Sequence, residues 1–293
     1  MNLLTSATTL ERSTWLWQGY RIQYTVHGEG LPLVLLHGFG ASIGHWRKNI
    51  PVLAAAGYRV YALDLLGFGA SDKPALAYSI DLWAQLVHDF WTEQIGSAVV
   101  WIGNSIGALL SLTLTAQFPQ ITKGAVLLNC AGGLNHRPDE LSPPLRLVMG
   151  LFTRLIASPT IGGFLFNLVR QKSRIRSTLH QVYRNSEAIT DELVDMLYAP
   201  SCDPGAQQVF ASILTAPPGT PPRELLPHVQ APLLVLWGEA DPWTPISGAT
   251  PFQEHTASPV QIVPIPDTGH CPHDERPDVV NALIIDWLAS LSV

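Results

Sequence analysis

Trp101-Ile102-Gly103-Asn104-Ser105-Ile106-Gly107 closes the apolar run Ala98 to Ile102 and leads into the alanine- and leucine-rich segment Ala108 to Phe118. The order reads strand, sharp turn, helix, with Gly-x-Ser-x-Gly at the turn. A strained turn of this kind pushes a serine hydroxyl out at the end of a sheet, where a base can reach it. Glycine at 103 and 107 suits a strand and a helix that approach too closely for side chains. Taken alone, the pentapeptide is equally an ordinary strand-to-helix junction. Three further segments decide between the two readings.

Two of the three follow a short apolar run of the type expected for a strand buried on both faces, and the third follows the last strand of the chain. Leu33 to Leu36 ends in His37-Gly38-Phe39-Gly40-Ala41-Ser42, a Gly-rich turn whose amides could point at a developing oxyanion. The amide of Phe39, partnered by that of Ile106, is the candidate pair, with the Phe39 ring facing the substrate. Pro232 to Trp237 ends in Gly238-Glu239-Ala240-Asp241-Pro242-Trp243, and Val260 to Ile265 leads to Asp267-Thr268-Gly269-His270-Cys271-Pro272-His273-Asp274. A neutral serine is a poor nucleophile. It needs a base, and the base needs an acid that fixes its tautomer and stabilises its cation. In open α/β sheets functional groups gather at the carboxyl ends of strands, so Ser105, Asp241 and His270 can converge on one edge. Their order along the chain is serine, acid, histidine. Glu239 rivals Asp241 as the acid, but the Asp-Pro turn carries residue 241 past the strand end. His273 rivals His270, which follows Gly269 directly. A metal site from His270, His273 and Asp274 lacks any further ligand set. Asp64, in Asp64-Leu65-Leu66-Gly67-Phe68-Gly69, precedes the serine on another strand end and is read as ordering its own loop.

Composition excludes several classes. A net charge of −6 argues against a general nucleic-acid binder. No stretch reaches the roughly 20 apolar residues of a spanning helix, because Arg146 and Arg154 interrupt Leu145 to Ile156. Met1 to Leu10 lacks the charged start and apolar middle of a secretory signal. Cys130, Cys202 and Cys271 have no metal spacing and cannot all pair, which suits a reducing compartment. Cys130, in the run Lys123 to Cys130, is read as a core residue.

The remaining elements are read as strands at Trp15 to Trp17 and Tyr20 to Val26 around a Gln18-Gly19 hairpin, and a strand at Arg59 to Leu63. Helices are expected at Trp46 to Ala56, Ser79 to Gln94 and Pro277 to Leu291. Between Leu134 and about Pro222 no strong strand occurs. Helical patterns fall at Leu145 to Ile156, Ile161 to Val169, Ser173 to Asn185 and Thr190 to Tyr198, punctuated by prolines. The expected organisation is a frayed terminus (1–13), a core made of 14–133 with 223–293, and an inserted helical cap (134–222). The cap segments 145–156 and 161–169 are unusually apolar. Arg170, Lys172, Arg174, Arg176 and Arg184 meet no acid until Glu187. This is either a buried cap core with one solvated charged face, or a greasy tunnel whose mouth touches an anionic lipid surface.

From about Trp15 to Leu291 the chain resembles an α/β-hydrolase. Gly103-Asn104-Ser105-Ile106-Gly107, Leu233 to Trp243 (LLVLWGEADPW) and Gly269 to Glu275 (GHCPHDE) together resemble the pheophytinase and chlorophyll dephytylase branch. The resemblance implies a mostly parallel sheet flanked by helices under a helical cap. It implies Ser105 as nucleophile, His270 as base and Asp241 as acid, with no metal or organic cofactor. The implied activity is a serine esterase that removes phytol from chlorophyll or pheophytin. The chain departs from its relatives at Ala108, where they continue with glycine. A photosynthetic source is implied by the family alone, and the lack of a transit peptide suits a bacterial one. The location implied is cytoplasmic or peripheral on the thylakoid. Alternatives are a small-ester, lipid or C–C bond hydrolase of the same fold, or a binding receptor with a hydrolase-like pocket. Dehalogenases and epoxide hydrolases put aspartate where Ser105 stands.

Overall fold

Four strands here are runs of Val, Leu, Ile, Ala and Trp without polar alternation, because each is covered by helices on both faces. The computed structural model describes residues 11–135 and 158–291. Its strands are β1 (Ser13–Trp17), β2 (Tyr20–His27), β3 (Leu31–Leu36), β4 (Tyr58–Leu63), β5 (Val99–Asn104), β6 (Thr122–Leu128), β7 (Leu233–Gly238) and β8 (Val260–Ile265). They form one sheet in the order β1-β2-β4-β3-β5-β6-β7-β8. The first two pairings are antiparallel, and from β4 to β8 all are parallel. The fold is that of an α/β-hydrolase, as expected. The β1–β2 hairpin turns on Gln18 and Gly19, both at positive φ, which matches the twist of a two-residue hairpin.

Alternate residues of the parallel strands feed two cores. Val34, Leu36 and Trp101 pack with α2 (Ile80–Gln94) and α3 (Ile106–Gln117). Leu33, Leu35, Val100 and Ile102 pack with α1 (Ile50–Ala55) and with Val280, Ile284 and Trp287 of the closing helix. Helix α2 is capped by Ser79, whose Oγ accepts the Leu82 amide at 3.1 Å. Cys130 lies just past β6, buried, with its thiol pushed up by that burial.

Two expectations are corrected. The helix expected at Trp46 to Ala56 is a 3₁₀ turn (Ile43–Trp46) followed by α1. The break serves tertiary partners: Arg47 and Lys48 pair with Asp274 at 2.9 and 3.1 Å. The Asn49 amide donates to the His273 carbonyl and to Asn281. The second correction lies between β6 and β7. Besides α4 (Pro159–Val169), α5 (Lys172–Val182) and α6 (Asp191–Tyr198), there is α7 (Ala206–Thr215), which the punctuation by proline concealed. Gly205 starts it at φ 90. The closing helix is α8 (Pro277–Ser290). The apolar segment 145–156 lies outside the described residues. Among the described residues no helix is long and apolar enough to cross a membrane. The basic stretch finds acids that come later in the chain: Lys172 pairs with Asp195 at 2.6 Å, and Arg176 with Asp191.

Candidate active site

Ser105 stands between β5 and α3 at φ 58, ψ −118, a conformation that costs an L-residue about 1–3 kcal/mol and persists only where the surroundings impose it. They do so here through close contact. A Cβ at Gly103 would overlap the Gly107 carbonyl, and one at Gly107 would overlap the Leu36 carbonyl. The turn is further held by the Ser105 amide, which donates to Leu128 O at 3.0 Å. Ser105 lines a pocket of about 320 Å³ together with Phe39, His270 and Trp243.

The structure brings Asp241 and His270 together. His270 Nδ1 donates to Asp241 Oδ2 at 2.6 Å, which leaves Nε2 for the pocket. Asp241 is almost completely enclosed. Its Oδ1 accepts the amides of Trp243 and Thr244 at 2.8 and 3.1 Å. Its Oδ2 also accepts Asn129 Nδ2 at 2.7 Å and the Thr244 hydroxyl. Burial alone would raise this carboxyl, but the His270 hydrogen bond and charge, then Thr244 and the Trp243 amide, outweigh it and hold the group below the usual carboxylate range. No hydrogen bond joins Ser105 Oγ to His270 here. Substrate-free sites commonly close that bond only when substrate is engaged.

Phe39 lines the pocket and is two-fifths exposed, its ring edge-on to Phe68. Ile106 sends its side chain into the core, and its amide, first in α3, has no intrahelical acceptor. Among the described residues neither the Phe39 nor the Ile106 amide donates to a backbone carbonyl outside the regular elements. His37 ties this loop down. The Leu65 amide donates to its Nε2 at 3.1 Å, so Nδ1 carries the proton and donates to Gly38 O at 2.8 Å. Burial lowers the His37 pKa, against Asp64 and the Gly38 carbonyl, and keeps the ring neutral.

The rivals stand elsewhere. Glu239 is exposed. His273 is wholly buried against Trp46 and His45, and among the described residues neither of its ring nitrogens has a hydrogen-bond partner. Asp64 accepts the Ile43 and Ala70 amides and pairs with Arg12, so it orders the two loops beside it. Four positioning side chains escaped the sequence reading: His37, Asn104, Asn129 and Thr244. Asn104 donates to His270 O at 2.9 Å. Asn129 combines positive φ (43) with its bond to Asp241, and a lone Asn ending an apolar strand was the available signal.

The rest of the pocket is mostly apolar, with Lys73, Arg170, Thr178 and Ser201 among its polar lining residues. Phe68, Phe39, Phe210 and Phe166 follow one another at centroid spacings of 5.8, 6.0 and 5.2 Å. This row runs from the Gly-rich loops to α7 and α4.

The chain is 30% identical to the chloroplastic pheophytinase of Arabidopsis thaliana over 89% of its own length, and spans 62% of that protein. It is 28% identical to the 2-hydroxy-6-oxo-6-(2'-aminophenyl)hexa-2,4-dienoic acid hydrolase of Metapseudomonas resinovorans, covering 91% of this chain and 87% of that one. Among solved structures, epoxide hydrolase CorEH superposes with a TM-score of 0.79 at 21% identity, over 97% of this chain and all of the other. The alpha/beta hydrolase family model matches residues 33–283. The chain belongs to the alpha/beta hydrolase family.

Proposed function

We propose that this hydrolase is a serine carboxylic-ester hydrolase that removes the phytyl chain from chlorophyll or pheophytin. The observation that carries the serine mechanism is Ser105 on its strained turn, sharing one pocket with a histidine already held by a buried aspartate. In this reading His270 Nε2 takes the Ser105 proton as Oγ attacks the ester carbonyl. Asp241 stabilises the resulting imidazolium. The Phe39 and Ile106 amides receive the oxyanion, each contributing on the order of 3 kcal/mol. The alcohol leaves with the proton from His270. Water, deprotonated by the same nitrogen, then releases the acid and restores Ser105.

The row of phenylalanines supports a long apolar leaving group, since each buried methylene contributes about 0.8 kcal/mol. The likeness to pheophytinase and the GHCPHDE string favour the phytyl ester among such groups. Such a substrate resides in membranes. We read the helices between β6 and β7 as a cap over the site. Ile161, Phe164, Leu168 and Val169 leave the solvent side of α4 apolar, and Phe166 and Val169 reach the pocket. Large exposed apolar side chains in series mark a contact surface, here with the lipid that holds the substrate, on the thylakoid in a photosynthetic cell.

A second reading, C–C bond hydrolysis of a dienoate, rests on the likeness to the Metapseudomonas resinovorans enzyme. Chlorophyll a and pheophytin a in detergent, incubated with the parent and with Ser105→Ala, separate these readings by chromatography. Dephytylated pigment from the parent alone is the expected result, with the variant reduced on the order of 10⁶-fold. Cleavage of the dienoate but of neither pigment would overturn it.

A further inference from the structure

We infer that Glu275, with Tyr183, is a positioning residue that sets His270 by fastening its loop to the helical segment above the pocket. The inference rests on the serine-hydrolase reading but not on the identity of the ester.

The backbone around His270 is held at three points. The Gly269 amide donates to Glu275 Oε2 at 2.8 Å. The His270 amide donates to Val182 O, at the end of α5, at 2.7 Å. The His270 carbonyl accepts Asn104. Glu275 also works in the other direction. Its Oε1 accepts the amides of Arg184 and Asn185 at 2.9 and 2.7 Å, just beyond α5. One buried carboxylate therefore holds the histidine loop with one oxygen and the helical segment with the other. The contact is too close for a side chain between them, because a Cβ at Gly269 would overlap Val182 O.

Tyr183 extends the same seam. Its hydroxyl donates to Asp274 Oδ2 at 2.9 Å and accepts from His45 Nε2 at 2.8 Å. His45 belongs to the 3₁₀ turn that follows the Phe39 loop, so the seam reaches both the base and the oxyanion side. Asp274 is closed off by Arg47 and Lys48. Three N–H groups converge on Glu275, and only a carboxylate offers two oxygens to receive them; a glutamine would set an NH₂ group against one of these donors. The residues around 182–185 therefore do not swing aside as a lid without drawing on His270. Any opening belongs to the helices before the end of α5.

The test is the rate at which a small fluorophosphonate modifies Ser105. That reaction needs the serine and its base, and no long chain in the pocket. The parent, Glu275→Gln, Glu275→Ala and Tyr183→Phe would be compared at a temperature where circular dichroism shows each folded. Amide exchange of 182–186 and 266–275 would be followed alongside. Glu275→Ala is expected to slow modification about 10–100-fold, since displacement of a reacting group by about 1 Å costs that much. Glu275→Gln, which retains one acceptor, should slow it less, and exchange should rise in both segments together. Should the alanine variant fail to fold, the glutamine variant carries the comparison. A folded variant with the parent's rate, or faster exchange in one segment only, overturns the inference alone. A parent that is not modified at Ser105 overturns the serine reading and this inference together.

Discussion

The two walls of the pocket are built differently. On the sheet side the side chains that surround Ser105 and His270 are held by backbone or buried partners: His37 by Gly38 and Leu65, Asn104 by His270 and Leu128, Asp241 by four donors besides His270. On the helical side the wall is largely apolar rings and aliphatic chains, and the neighbouring ion pairs are exposed ones such as Lys172–Asp195. Directional bonds in a buried site leave little room for change, whereas apolar packing tolerates substitution of similar volume. On the proposed reading, chemistry falls to one wall and choice of substrate to the other.

The sharpest way to break that division is Asp241→Asn. It keeps the shape but presents an amide to His270, favouring the wrong tautomer. Loss of about 10⁴-fold in kcat on any ester, with little change in KM, is expected from steady-state kinetics. A loss restricted to long-chain esters would merge the two walls into one.

Acid stability separates them next. His45 is buried at the seam, and its pKa is lowered to about 4, by burial first and by Arg47 and Lys48, against the pull of Asp274. Below the unfolded value of about 6.5 the unfolded chain takes a proton that the folded chain refuses. Stability should therefore fall as pH drops from about 6.5 to about 4, by on the order of 3 kcal/mol from this residue. His37 and His273 act in the same direction. Urea titrations across this range should show a shallower slope for His45→Gln, and an unchanged slope would remove His45 as the cause.

Smaller effects belong to the apolar wall. Phe210→Ala should raise KM for long-chain esters about tenfold, the loss of roughly one aromatic contact, while leaving acetate esters untouched in a chain-length series. Phe164→Glu should leave soluble esters unaffected. It should slow turnover of vesicle-held substrate a few-fold, because a charge on that face opposes burial among lipid chains. Equal slowing of both substrates would place Phe164 in the site's own architecture.

The same contrast explains what could be read in advance. Strands such as Leu33–Leu36 and Leu233–Trp237 announce themselves because burial on both faces removes every polar residue. Ser105, Asp241 and His270 stand out as polar residues just beyond such runs. Asn129 and Thr244 did not, because what matters about them is a bond to Asp241 across 112 and 3 positions, and side-chain type alone carries no trace of it. The break at Arg47–Asn49 is likewise owed to partners more than 200 residues away. Helix α7 was hidden by local signals that mark its ends, Asp203-Pro204-Gly205 before it and Ala216 to Pro222 after.

The close meeting of Gly269 with Val182 O bears on engineering by parts. Helical insertions in this architecture look like modules, to be exchanged between relatives as whole segments. Here the donor segment would arrive with a backbone that must accept His270 N–H and present two amides to residue 275. A chimaera that transplants the helices alone inherits a mismatched joint at the base, and one that carries residues 269–275 with them keeps the joint intact.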